Sequence, residues 1–141
     1  MLLYNVKSVA GPLTKGAFYA FPVITETVDL DGLAEHMANH NTPYSKGAIK
    51  GVLTDMVSCI RELVLQGIAV KIPDLAIFSV GIKNKRGADK EEDFEVNYNI
   101  EGVKLRARGT GEFSSQQINL AATLKKANGM LGKTTTATTN V

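Results

Sequence analysis

The longest periodic run of hydrophobic residues in the chain lies between Ile49 and Val64. Ser45 precedes it as a helix N-cap, and Gly67 follows it as a terminating residue. Its apolar positions recur at three- and four-residue spacing and fall within an arc of about 140° on a helix; they are Ile49, Val52, Leu53, Met56, Val57, Ile60, Leu63 and Val64. The pattern predicts a long helix with one face turned to the core.

A shorter amphipathic helix is predicted before it. Leu30, Leu33 and Met37 share one stripe, and either Thr27 or Asp29 can cap the helix, which we expect to end near Asn39.

After the long helix the pattern changes to that of a β-hairpin. Residues 68–72 and 75–80 are apolar runs of strand length, and Pro73 with Asp74 supplies a turn. Leu75 and Ile77 project to one side of the second run, while Phe78 and Val80 project to the other. Both faces are therefore apolar, and we expect a second layer, either the N-terminal segment or another subunit, to cover the hairpin.

Another hairpin is predicted at the N-terminus. Extended segments over residues 3–9 and 17–24 flank a Gly11-Pro12 turn signal, and Pro22 indicates that the second strand lies at a sheet edge or ends early. The aromatic residues of this segment, Phe18, Tyr19 and Phe21, are interpreted as packing residues rather than as a platform for stacked bases.

Residues 83–128 alternate between charged loops and regular patterns. We expect an acidic loop at residues 87–93, followed at 94–98 by a segment in which apolar and polar residues alternate. The pattern of residues 102–108 predicts a strand with one basic face. Ser114 or Ser115 can cap a last helix from Gln116 to Asn128, which Gly129 would end.

Composition changes this outline little. The 141 residues carry a net charge of +2, so positive charge must be concentrated locally to attract a polyanion. Cys59 is the only cysteine, which favours a cytoplasmic protein without disulfides. No apolar run reaches the roughly 18 residues of a membrane span, and we expect neither a membrane partner nor a signal peptide.

No catalytic constellation is found, so we expect no enzyme, no cofactor, no small-molecule substrate and no metal. His36 and His40 have a spacing compatible with metal ligation, but no HExxH glutamate lies between them and the helix breaks directly afterwards, so we interpret them as surface histidines. Gly109-Thr110-Gly111 lacks the remaining residues of a phosphate-binding loop.

A local basic patch is the strongest binding signal. If residues 80–108 form an antiparallel pair, six cations lie near the base of one ribbon, where long side chains can reach the phosphates of a duplex; they are Lys83, Lys85, Arg86, Lys104, Arg106 and Arg108. Lysine and arginine also protect edge strands from aggregation, and the pattern alone does not separate the two roles.

Several segments together resemble the HU/IHF family of bacterial histone-like DNA-binding proteins. Residues 33–80 reproduce its order of short helix, Tyr44-Ser45-Lys46 turn, long helix and hairpin. Lys15–Val23 and Asn99–Arg108 are similar to a divergent HU-related group of Bacteroides-type bacteria with an N-terminal extension and a shortened arm. The likeness covers roughly residues 15–129, and its specificity comes from the order and spacing of the motifs.

The resemblance implies an α+β, HU/IHF-like fold: a helical pair packed on a β-hairpin sheet, a β-ribbon arm and a C-terminal helix, in an intertwined homodimer. The dimer interface would then include Met56, Ile60, Leu75, Ile77, Phe78 and Val80. Domains are expected at 1–27 for an N-terminal β extension, 28–129 for the HU-like domain and 130–141 for a disordered Thr-rich tail.

The function implied is sequence-tolerant binding of double-stranded DNA through backbone phosphates, with an architectural role in bending or compacting the nucleoid. Besides the six ribbon cations, Lys46, Lys125 and Lys126 are candidate flank contacts. The acidic loop replaces the family's Arg-Asn-Pro arm tip, so bending by proline insertion is not expected. The alternative is a dimeric HU-like scaffold that serves as a protein-interaction module without appreciable DNA binding.

Overall fold

Residues 1–127 are described by a computed structural model and form an α+β fold, which confirms the predicted class. The strands, in chain order, are β1 (Leu2–Ser8), β2 (Phe18–Pro22), β3 (Val70–Ile72), β4 (Ala76–Asn84), β5 (Ile100–Gly109) and β6 (Leu124–Lys126). The α-helices are α1 (Leu30–Ala38), α2 (Lys46–Leu65), α3 (Val96–Asn99) and α4 (Ser115–Ala121), with 3-10 turns at Glu91–Asp93 and Gly111–Phe113. Two compact units contain them, residues 28–118 and residues 1–27 with 119–127.

In the unit that contains the N-terminus, β1 and β2 form the predicted antiparallel hairpin. β2 lies at the sheet edge and ends at Pro22, as the proline predicted. β6 pairs with the other side of β1 in parallel, with Leu2 opposite Leu124.

The predicted last helix is wrong in its second half. α4 ends at Ala121, and Leu124–Lys126 form strand β6 instead of two further helical turns. The backbone of this segment is hydrogen-bonded to β1: the Ala127 N–H donates to the Tyr4 carbonyl over 2.9 Å. The proposed end of the helix at Gly129 and the Thr-rich tail lie outside the described residues.

In the unit of residues 28–118, the two long helices begin and end where the sequence predicted. The Asp29 carboxylate accepts from the Gly32 N–H over 2.8 Å at the start of α1, and Ser45 Oγ accepts from the Ala48 N–H over 3.2 Å at the start of α2. Gly67 follows the α2 C-cap with φ +80°, a left-handed conformation that favours glycine.

A single chain covers only part of the apolar stripe of α2. Ile49 and Val64 are buried, whereas Val52 and Val57 remain 69% and 55% exposed. α2 contacts α1, β3 and β4. Part of the stripe is therefore left in solvent by residues 1–127.

The second sheet has the strand order β3-β4-β5, and both pairs are antiparallel. β4 and β5 form the predicted ribbon, with a register shift between Lys83 and Asn84. The turn between β3 and β4 holds Asp74 at φ +60°. Its carboxylate accepts from the Glu112 N–H over 3.2 Å, and a Cβ at Gly111 would collide with it, so this turn and residues 109–112 fit each other.

Candidate nucleic-acid interface

The register of the second sheet places its basic side chains on one face and most of its apolar side chains, though not Ile77, on the other. Ile77 lies opposite Arg108, Ser79 opposite Arg106 and Gly81 opposite Lys104. Because directly opposed residues of an antiparallel pair project to the same side, five cations share one face; they are Lys71, Lys83, Lys104, Arg106 and Arg108. We call this surface the cationic face.

Side-chain contacts agree with this assignment. Gly81 is buried, and a Cβ there would come within 2.5 Å of Arg106 Nε, so the arginine lies across the glycine on the cationic face. Lys83 pairs with Glu101 over 3.0 Å, and both side chains remain more than half exposed. Within residues 1–127, no carboxylate forms a salt bridge with Lys104, Arg106 or Arg108. These three exposed charges are available to an external anion.

The opposite side of the same strands is the apolar face. Its residues are Val70, Ile72, Ala76, Phe78, Val80, Ile82, Val103, Leu105 and Ala107. Ala76 is 9% exposed, whereas Ile82, Val103 and Leu105 are 55%, 62% and 63% exposed. Within residues 1–127, the apolar face is therefore covered near the β3–β4 turn and largely exposed further along the ribbon.

Lys85 and Arg86, also predicted as phosphate contacts, lie beyond the end of β4. Both of their backbone N–H groups point to the Asn99 carbonyl, at 2.7 Å and 3.4 Å. Arg86 Nη1 donates to the Tyr98 hydroxyl over 2.9 Å, and the guanidinium lies 5.2 Å from the Tyr98 ring centroid. The ring fixes the position of this charge without neutralising it.

The tip of the ribbon, residues 85–99, is folded by a buried asparagine. Asn99 is 2% exposed. Its Oδ1 accepts from the Glu95 N–H over 2.8 Å, and its Nδ2 donates to the Arg86 carbonyl over 2.9 Å. The prediction of an alternating segment at 94–98 is wrong, because this asparagine closes a turn of α3 there instead. The acidic loop, predicted at 87–93, includes the 3-10 turn Glu91–Asp93.

The predicted flank lysines are held in different ways. Lys46 Nζ lies 3.1 Å from Asp31 and 3.8 Å from Glu35, so its charge is matched within the chain. The Asp31 hydrogen bond raises the pKa of Lys46 above its ordinary value. Lys125 and Lys126 lie on β6, opposite Leu3 and Tyr4, in the unit that contains the N-terminus.

The residues predicted at a dimer interface do not all share a face. Phe78 and Val80 lie on the apolar face, Ile77 lies on the cationic face, and Leu75 lies in the turn. Met56 and Ile60 are half-buried on α2.

Sequence reasoning missed Lys71 as a member of the cationic face. It is the only charged residue of the run 68–72, and that was the available signal. Placing it required the β3–β4 register, in which Lys71 lies opposite Ile77.

Two further features of residues 1–127 concern metal ligands and membrane helices. Residues 1–127 contain no group of three or more His, Cys, Asp or Glu side chains placed to hold a metal ion. Among the helices of that range, none combines the length and apolar character that a membrane crossing needs.

Comparison with known proteins identifies a family for this chain. Residues 2–121 match the family model HU-HIG, described as an HU domain fused to wHTH, Ig, or Glycine-rich motif. A search of curated proteins finds no match.

Two solved structures resemble the chain. A Bacteroides vulgatus protein, provisionally described as a bacterial DNA-binding protein, has a TM-score of 0.63 at 11% identity over 89% of this chain. The chain spans about half of that protein, 49% of its length, and at this identity the likeness concerns the fold. HU from Anabaena, solved in a cocrystal with DNA, has a TM-score of 0.45 and 16% identity, and the match covers 67% of this chain and 99% of that one. With the family model covering most of the chain, the protein belongs to the HU-HIG family of HU domains.

Proposed function

We propose that this protein binds double-stranded DNA as a homodimer, through backbone phosphates and with little sequence preference, and acts as an architectural protein of the bacterial nucleoid. The observation that carries the proposal is the cationic face. Five cations project from one side of a three-stranded sheet, and four of them, all except Lys83, have no carboxylate partner within residues 1–127.

The dimensions of the face suit a phosphate backbone. Lys104, Arg106 and Arg108 occupy alternate positions of β5 and span about 13 Å at roughly 3.3 Å per residue. Phosphates follow one another by about 3.4 Å of helix axis on each DNA strand, so the three side chains can reach different phosphates. Such contacts fix position without reading bases, which is why we expect little sequence preference.

The apolar face supports the homodimer. Val103 and Leu105 are more than 60% exposed in a single chain, as is Val52 on α2. Exposed apolar side chains of this kind suit a protein interface, and a second copy would cover them while keeping two cationic faces outside. Met56, Ile60, Phe78 and Val80 would lie at this interface, with Leu75 and Ile77 at its margin.

The ribbon tip limits the mechanism of bending. Its carboxylates, which include Glu91, Glu92 and Asp93, would be repelled by phosphate. We therefore assign the DNA contact to the base of the ribbon, with Lys85 and Arg86 at its outer limit. Lys125 and Lys126, in the other unit, are proposed as separate DNA contacts. Any bending would arise from phosphate contacts along the two faces.

The test is a salt titration of duplex binding. The triple variant Lys104→Ala, Arg106→Ala and Arg108→Ala should bind weakly at low salt, and the slope of log K against log salt should decrease by about 0.9 for each phosphate that is no longer neutralised. The control variant Lys7→Ala, Arg61→Ala and Lys90→Ala changes net charge equally but lies off the cationic face, and it should bind like the wild type. Equal binding by both triple variants would refute the proposal.

The folded acidic tip favours one alternative, a dimeric scaffold that binds proteins. Phe94 and Val96 are 42% and 67% exposed beside the tip's carboxylates, a combination suited to a basic, partly apolar partner. A wild-type protein that remains dimeric in light scattering yet shifts neither linear nor bent duplex at low salt would establish this alternative over DNA binding.

A further inference from the structure

Two imidazole rings converge at the C-terminal end of α1. His36 lies in its last turn, and His40 lies just beyond the C-cap, Asn39. Their Nε2 atoms are 3.1 Å apart, while the ring centroids are 4.7 Å apart and the ring planes are inclined by 57°. Since the nitrogens are closer than the centroids, the rings approach each other through their Nε2 edges, and without an ion this contact is a hydrogen bond from the N–H of one ring to the nitrogen of the other.

We propose that His36 and His40 form a two-histidine site for one divalent transition-metal ion of the zinc, copper or nickel class. Two nitrogens that are each about 2.05 Å from one ion subtend an angle of about 98° when they are 3.1 Å apart. That angle lies between the octahedral and tetrahedral values, so one ion fits both Nε2 atoms with only small movements. Neutral imidazole is a preferred ligand of these ions, whereas magnesium and calcium require oxygen ligands.

The surroundings leave room for the remaining ligands. The two rings border a hollow of about 450 Å³ that is also lined by Met37, Thr42, Tyr44 and Ile49. The pair is exposed, so water can complete the coordination. Asp31 and Glu35, the two acidic residues of α1, pair with Lys46 and do not border this hollow.

The site is independent of the cationic face and is tested separately. The untagged full chain is titrated with CuSO₄ and with ZnCl₂ by calorimetry, and the Cu²⁺ titration is also followed by visible absorption. We expect one ion per chain, with Cu²⁺ bound more tightly than Zn²⁺ as the Irving–Williams order requires. His36→Ala and His40→Ala should each weaken binding at least tenfold and shift the copper absorption band.

A spacing variant distinguishes the paired site from two independent surface histidines. His40→Ala combined with Asn41→His keeps two histidines but removes the four-residue spacing, and it should bind as weakly as the single variants. Cys59→Ser should bind like the wild type, which excludes the exposed thiol as the ligand. Wild-type affinity in the spacing variant, or no difference between the wild type and a variant without histidines, would overturn the proposal. Because both side chains are exposed, circular dichroism should be the same for every variant.

Discussion

The two faces of the β3-β4-β5 sheet differ in chemistry although the same strands form both. Leu105 and Arg106 are neighbours on β5, yet one projects to the apolar face and the other to the cationic face. The apolar face remains partly uncovered in the single chain, while the cationic face carries charges without partners in residues 1–127. Alternation along one strand thus supplies both a surface suited to protein and a surface suited to an anion.

The largest effect should come from placing the same carboxylate on each face in turn. Leu105→Asp would bury an unpaired carboxylate in the proposed dimer interface. Removing one partner of a buried salt bridge leaves a similar unpaired charge and costs about 3–5 kcal/mol, so we expect a cost of that order. We expect loss of the dimer in light scattering and a large decrease in Tm. Arg106→Asp is the matched variant: it should keep the dimer and Tm but lose most duplex affinity, measured by fluorescence anisotropy.

These two variants also show how the comparison could fail. If Leu105→Asp remained dimeric with an unchanged Tm, the apolar face would not be the interface. If the two variants had the same phenotype, the faces would not be functionally distinct.

A second prediction concerns the ribbon tip, whose fold depends on hydrogen bonds rather than on either face. Asn99→Ala removes the side-chain bonds to Glu95 N–H and the Arg86 carbonyl in a buried position, which should cost about 1–3 kcal/mol of local stability. Hydrogen exchange at the Glu95 amide should accelerate accordingly. Asn97→Ala, an exposed neighbour, serves as the control. Equal exchange in the two variants would show that Asn99 does not hold the tip.

The sequence predicted the features that depend on local pattern. The α2 stripe, its Ser45 cap and the alternation of Lys104, Arg106 and Arg108 were all readable from spacing, and the structure has them. The sequence did not predict on which face of the sheet Lys71 lies, because its face depends on the pairing of β3 with β4.

Both errors come from hydrogen bonds that the sequence pattern does not reveal. The serine cap and Gly129 together predict a helix through Leu124–Lys126, but the backbone of these residues pairs with β1, more than a hundred residues earlier. Residues 94–98 alternate like a strand, yet the Asn99 side chain stabilises a turn there. Hydrogen bonds override weak local preference in both places, between distant strands at β6 and over four residues at α3.

The smallest effect on duplex affinity is expected for Lys46, a cation that is already paired with carboxylates of its own chain. Lys46→Ala should change duplex affinity less than twofold, because Asp31 and Glu35 already match its charge, whereas Lys104→Ala should weaken binding measurably. Equal decreases of affinity in anisotropy titrations of the two variants would mean that Lys46 leaves its carboxylates to bind DNA.

The ion cluster of Asp31, Lys46 and Lys50 can be followed through the pKa of its carboxylate. Hydrogen bonds from Lys50 and Lys46 hold the pKa of Asp31 below its ordinary value. Because the folded-state pKa is lowered, the cluster's stabilising effect is present above the ordinary carboxyl range and is lost as pH falls through the folded pKa. Lys46→Ala should therefore move the Asp31 pKa upward in an NMR titration of side-chain carboxyls, with little change in Tm because the groups are exposed. An unchanged Asp31 titration would mean that Lys50 alone sets it, and that Lys46 is as free to meet an anion as the residues of the cationic face.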